Sequence, residues 1–297
     1  MSRGVRDRLL SRAIARIVPI TAVLAVLGAV SCTTVQPARV TAFGQGVDKV
    51  RLQVDTTFTT VNQMVTEDEI DRAVGLPTLT EDDVTVVLKN EDIAKWDKAF
   101  EEIDAYVAKL SSLLSPEQPQ DFDKALGELG TEMKNLDPKT LPSASVATGF
   151  AELGRLLIEA KAQRDALRIA RNTDTAMKTI FTEMADTIGP DHSKGLRGTV
   201  WEHWKTRMDS ERQAFLRAKD KSDIRREIIN AYISLRDKRD GQDLQLGSLR
   251  QSLLDLASAH EALARGSDTD LAAAITMIQQ ELEATRALSE QFNGPKH

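Results

Sequence analysis

His260 is the residue whose type and setting could most readily do chemistry. It is an imidazole within the seam Leu246, Leu249, Leu253, Leu256 and Leu263, whose spacing turns it inward on a helix. There it can ligate a metal or change charge near neutral pH, or simply bond a neighbouring helix, as buried polar groups do. Glu261 follows it but points about 100° away around the helix, so the two do not converge. Trp201 and Trp204 are three apart on one face and could line a ligand groove, or pack between helices. Trp201, Trp204 and His260 are therefore the candidate ligand groove, with His203, beside Glu202, expected to face solvent.

Other reactive types do not gather into a site. The four histidines lack the paired Glu-x-x-His pattern of di-iron bundles, and neither His-Glu-x-x-His nor a cysteine pair for zinc is present. The loop at 189–198 carries Lys194 and Arg197 without the Walker spacing of a phosphate cradle, so it reads as a connector. Asp268 and Asp270 open no twelve-residue calcium loop and read as helix-capping acids. No serine stands in a nucleophile elbow. The expectation is a protein that is not an enzyme, with no catalytic residues, no metal and no cofactor.

Cys32 is the single cysteine. It follows a segment with the three parts of an export signal. Arg3, Arg6, Arg8, Arg12 and Arg16 against Asp7 make a net +4 start, Ile17 to Val30 is uncharged and apolar, and Ala29 and Ser31 supply small residues. Leu27-Gly28-Ala29-Val30-Ser31-Cys32 resembles the lipobox of bacterial lipoproteins, with Ala29 where that family usually has leucine. The resemblance covers about the first tenth of the chain and implies cleavage after Ser31 and a lipid on Cys32. In that family the absence of Asp at the next position, here Thr33, implies the outer membrane, facing the periplasm. Ala29-Val30-Ser31 also fits ordinary signal cleavage, and the apolar run falls short of the roughly 20 residues of an uncut spanning anchor. Lipid on Cys32 would also cap a thiol that has no partner in an oxidising compartment.

Removing that signal from a chain of formal charge −6 leaves about −10, which argues against nucleic acid and against docking on anionic head groups. The membrane contact expected is therefore the lipid, and the other partner an envelope protein. About 266 residues remain, near the upper limit for one hydrophobic core.

The elements that must position these residues are helical. Val47, Val50, Val54, Phe58, Val61 and Met64 recur at spacings of three and four. So do Ile93, Trp96, Phe100, Ile103, Val107, Leu110 and Leu114. The pattern predicts an all-α, elongated antiparallel bundle of about six to eight helices, as one bundle or two packed subdomains. The expected divisions are a cleaved signal at 1–31, a tether at 32–41, an N-terminal bundle at 42–188 and a C-terminal bundle at 189–297. Thr80 before Glu81, Asp82 and Asp83 reads as a helix start. Asn172-Thr173-Asp174 reads as a kink or split in a helix from Ser143 to Ile188, and Gly241 as an interruption. Ile224, Ile228, Ala231 and Leu235 are expected to face inward, as are Leu271, Ile275, Ile278, Leu282 and Phe292.

On these grounds the sequence leads to an envelope lipoprotein whose helical body is a non-catalytic interaction or spacer module. The alternatives are a small-ligand-binding or sensor bundle, and an inhibitor or immunity-type lipoprotein.

Overall fold

In the valine-rich stretch from Val40 to Val65, helical periodicity prevails over the strand preference of its β-branched residues. Val40, Phe43, Val47, Val50, Val54, Phe58, Val61, Met64 and Val65 are all buried along one face. The computed structural model describes residues 24–115, 121–163, 165–219 and 221–293, with side chains described between 37 and 291. The chain divides into two units, Met1–Val35 and Gln36–His297, and the helical body is the second. Cys32, the residues before it that carry the lipobox resemblance, and the side chain of Phe292 lie outside the described side chains.

Among the described residues the fold is all-α, with eight α-helices and no strand. These are α1 (Leu24–Ala73), α2 (Asn90–Leu113), α3 (Phe122–Lys134), α4 (Ala144–Ala160), α5 (Ala166–Ile188), α6 (Gly195–Arg217), α7 (Ser222–Arg265) and α8 (Asp268–Asn293). Short connections set successive helices side by side: α3 packs on α4, α4 on α5, α6 on α7 and α7 on α8. Helix α7 also packs on α5, across the expected division at 189. None of the helices among the described residues is long and apolar enough to cross a membrane.

Several boundaries differ from the sequence reading. The expected tether at 32–41 is helical and belongs to α1, with Pro37 inside the helix. Val40 is already in the core, and Arg39 forks onto Asp268 at 2.5 and 2.9 Å, so the chain from Arg39 onward is part of the body. Thr80 does open a capped turn, its backbone N–H donating to Asp83 Oδ2 at 2.7 Å. That turn is a 3-10 turn of three residues (Glu81–Asp83), and α2 begins only at Asn90.

The long helix expected from Ser143 is two helices, one ending at Ala160 and the next starting at Ala166, where Asp165 caps α5 by accepting from the N–H groups of Leu167 and Arg168. It runs straight through Asn172-Thr173-Asp174. Gly241 interrupts nothing: it is buried within the 44 residues of α7.

The core is close-packed enough to need glycine where helices touch. Gly130 of α3 and Gly154 of α4 face each other, and a methyl group on either would strike the other's carbonyl oxygen. Along α7, Leu246, Leu249, Leu253, Leu256 and Leu263 are all fully buried, each contributing roughly 1.5–3 kcal/mol. Leu271, Ile278 and Leu282 of α8 are buried too, with Ile275 packed against them.

Candidate functional site

The three residues of the expected ligand groove do not come together. Trp204 is fully buried on α6, its indole N–H donating to Gln242 Oε1 of α7 at 2.6 Å. His260 lies eighteen residues further along α7, about 27 Å away at 1.5 Å per residue. Trp201, one turn before Trp204, is only half-buried. Its ring stacks on His192 at 4.5 Å, and the Arg239 guanidinium lies 4.0 Å from its centre. Trp204 thus serves as packing, and Trp201 as a cation–π platform on α6 for Arg239 of α7.

His260 sits in a polar knot built by three helices, fully buried itself but bonded to a partly exposed Asp174. Its Nδ1 is 2.9 Å from Asp174 Oδ1 on α5, and its Nε2 is 2.9 Å from the hydroxyl of Tyr106 on α2. A carboxylate only accepts, so Nδ1 carries a proton toward Asp174. Thr173 Oγ1 lies 2.7 Å from the same hydroxyl, and Phe43 of α1 closes the site edge-on at 5.3 Å.

An acid, an imidazole and a phenol in line could in principle relay a proton. However, burial pushes the Tyr106 phenol far above its ordinary value. Tyr106, His260 and Thr173 are all fully buried, and the Tyr106 hydroxyl already has two partners. No reacting atom can approach it. The knot fixes the register of α2, α5 and α7. Its partners are not visible in sequence, because Tyr106 and Asp174 stand 154 and 86 positions from His260.

His203 is not the solvent-facing residue the sequence suggests. It is mostly buried where α6 meets α1, 3.6 Å from Asp68 Oδ2 and 3.9 Å from Glu69 Oε1. Three ligand-type groups within 4.8 Å of one another have the composition of a metal site. Both carboxylates are already engaged by guanidinium groups, however. Arg207 Nε donates to Asp68 at 2.6 Å and Arg72 Nε to Glu69 at 2.7 Å. Burial works against the charged form of Asp68, yet His203 and Arg207 together hold its carboxyl below the usual carboxylate range. The cluster is an ion-pair clamp between α1 and α6.

Beyond that clamp, α6 and α7 leave the body as a two-helix arm. Val200, Trp204 and Met208 are the buried apolar residues of α6, and the buried side chains of α7 begin at Leu235. Of the expected inward set, Leu235 is buried, Ile228 is half-buried, and Ile224 and Ala231 are exposed. Leu216 is 60% exposed, and Ile229 and Ile233 are exposed as well. Phe215, Ile228, Ile229 and Tyr232 line a shallow pocket of about 210 Å³ with Glu211 and Arg212 at its rim. Two helices can cover only one side of each other, so the rest of these apolar groups have nothing against them within the described residues.

The chain matches no family model, no curated protein and no solved structure.

Proposed function

We propose that the chain is an envelope lipoprotein, tethered by lipid on Cys32 at the outer membrane facing the periplasm. Its helical body is a non-catalytic spacer, and the distal α6–α7 arm is its contact element. The observation that carries this reading is the arm's uncovered apolar side chains: Leu216, Ile224, Ile229 and Ile233 stay exposed, while Leu246, Leu249, Leu253, Leu256 and Leu263 in the body half of α7 are buried. Apolar side chains clustered on an element and left uncovered by the fold are the ordinary mark of an interaction surface. The lipobox-like Cys32 supports the membrane tether, and an arm that offers contact rather than chemistry fits the absence of a convergent reactive cluster in the sequence. The small-ligand reading loses its motivation, since Trp201, Trp204 and His260 do not share a cavity wall.

Two measurements test the reading. Mass spectrometry of the membrane fraction should find acylated Cys32 as the new amino terminus; an unmodified thiol or an intact Met1–Ser31 would sink the tether. A photo-crosslinker at Leu216 or Ile229 should capture its surroundings in cell envelopes far more efficiently than one at Ala272, which is exposed on the body. Equal capture from both would remove the arm as contact element.

A further inference from the structure

We propose that the turn between α6 and α7 is a membrane-contact tip for an anionic phospholipid surface. Leu216 and Ile224 enter the acyl boundary, and Arg217, Lys219, Lys221 and Arg226 engage the phosphates. The proposal rests on the reading of the arm as contact element and names what it touches.

Three observations carry it. The first is charge. From Arg212 to Arg226 the sequence holds Arg212, Arg217, Lys219, Lys221, Arg225 and Arg226 against only Asp220 and Asp223, in a chain of net charge −6. Arg212 pairs with Asp209, and Arg225 is spent on the Phe215 ring and the Lys219 carbonyl. Among the described residues no ion pair engages Arg217, Lys219, Lys221 or Arg226, so four cations at the turn are open to an external anion.

The second is the distribution of apolar groups. Ile224 and Ile229 lie about 140° apart around α7 and Leu216 stands on the other helix, so apolar groups point to more than one side of the hairpin. One partner helix would cover one side; a fluid interface that the tip enters covers all of them. Leu216 and Ile224 flank the turn within about one helical turn of it, which suits the roughly 5–10 Å depth of interfacial insertion.

The third is separation. Thirteen residues of helix from Leu235 back to Ser222 place the start of α7 about 20 Å beyond its first buried residue, more than twice the Debye length of about 8 Å. The acidity of the body is screened at that distance. Composition averaged over the chain argues against anionic head groups, but the charge is segregated.

The test uses the full chain carrying Cys32→Ser, which removes the sole native thiol and any lipid on it. An environment-sensitive fluorophore is placed on Leu216→Cys, and in a second protein on Ala272→Cys. Vesicles of phosphatidylcholine with about 30 per cent phosphatidylglycerol should shift the Leu216 label to the blue, and pure phosphatidylcholine should not. Salt at about 0.5 M should remove the shift. The triple variant Lys219→Gln, Lys221→Gln, Arg226→Gln should weaken binding about 100-fold, at about fivefold per charge, with an unchanged circular-dichroism spectrum.

No shift at the tip, an equal shift with neutral vesicles, or an equal shift at Ala272→Cys overturns the proposal. A shift produced by raising protein concentration without vesicles also overturns it and assigns the arm to a second copy of the chain. If envelope crosslinks from the arm reach a protein while the vesicle shift is absent, the contact reading survives and this one falls. An unmodified Cys32 in the native chain leaves this one standing.

Discussion

Helix α7 contains the same sequence pattern twice, with opposite outcomes. Between Leu246 and Leu263 the leucines of the seam are all fully buried against neighbouring helices. Between Ile224 and Ile233 residues of equal hydrophobicity at similar spacing are left half-covered or exposed. One continuous helix therefore passes from core to arm without any change in its local character. Amphipathicity specifies that a face needs covering; the number of neighbouring helices decides whether the fold itself supplies the cover. Over the body half, α5 and α8 pack on α7 in addition to α6.

The most direct way to break the comparison is to truncate one residue in each half. Leu253→Ala should cost about 3 kcal/mol of unfolding free energy, within the range for leucines that leave a cavity. Ile229→Ala should change it by less than about 0.5 kcal/mol. Urea denaturation of the two variants measures both. Comparable losses would mean that something in the chain covers the arm.

The next effect lies where the arm leaves the body. Asp68→Asn strands Arg207 and should cost about 2 kcal/mol, less than the roughly 3–5 for a wholly buried pair, because 20% of the Arg207 side chain is exposed. The sign in pH follows from the lowered Asp68 value. Its contribution is complete above the usual carboxylate value of about 4, and is lost as pH falls through the lower folded value. The Asn variant should therefore lose stability at pH 7 and converge on the native chain in acid. Hydrogen exchange should show α6 opening beyond Trp204 while α5 remains protected.

A smaller effect probes what the body half gains by burying polarity. Tyr106→Phe removes the hydroxyl that meets both His260 Nε2 and Thr173 Oγ1, and should cost about 1–2 kcal/mol. Ile233→Ser on the arm, which adds a hydroxyl in water, should be close to neutral. If Tyr106→Phe were neutral too, the knot would not be what fixes α2 against α7.

How far the sequence reveals the molecule depends on the range of the interaction involved. Periodicity along a helix is local, so the seams of α1, α2 and α8 and the Gly-Pro break after Ile188 are legible. Caps that compete are less so. Asp165 ends the α4–α5 connection by capping, whereas Thr80, whose hydroxyl donates to Asp83 and accepts no backbone N–H, starts only one turn, and Val84 to Lys89 carries no helical face. Asn172-Thr173-Asp174 reads as a break because polar residues cluster there. Thr173 and Asp174 instead serve partners on other helices, contacts that cannot be read from spacing alone. His203 is misread for the same reason: Asp68 stands 139 positions away from Arg207 in the clamp that surrounds it. Ile224 and Ala231 are the converse case: the periodicity is present, but the expected inward placement fails because no covering helix exists among the described residues.

The smallest effect is a gain, and it shows that burial in the body half is not uniformly favourable. Asp255 lies between Leu253 and Leu256, buried, with Gln251 Nε2 donating to its Oδ1 at 3.0 Å and no hydrogen-bond partner at Oδ2. Burial raises its carboxyl above the ordinary value, and nearby Glu281 adds to this, against the Gln251 hydrogen bond. A raised folded value means that stability is lost as pH rises through the unfolded value near 4, and the full penalty is in place once pH exceeds the folded value. Asp255→Asn keeps the acceptor for Gln251 and removes the charge. It should stabilise the chain by about 1 kcal/mol at pH 7 and by nothing near pH 3, as read from urea midpoints at the two pH values. The same exchange at Asp223, exposed near the start of the arm half of the helix, should leave the midpoint where it is. A gain at Asp223 as large as that at Asp255 would show the benefit to come from relieving the net charge of the chain, not from the buried setting of one carboxylate.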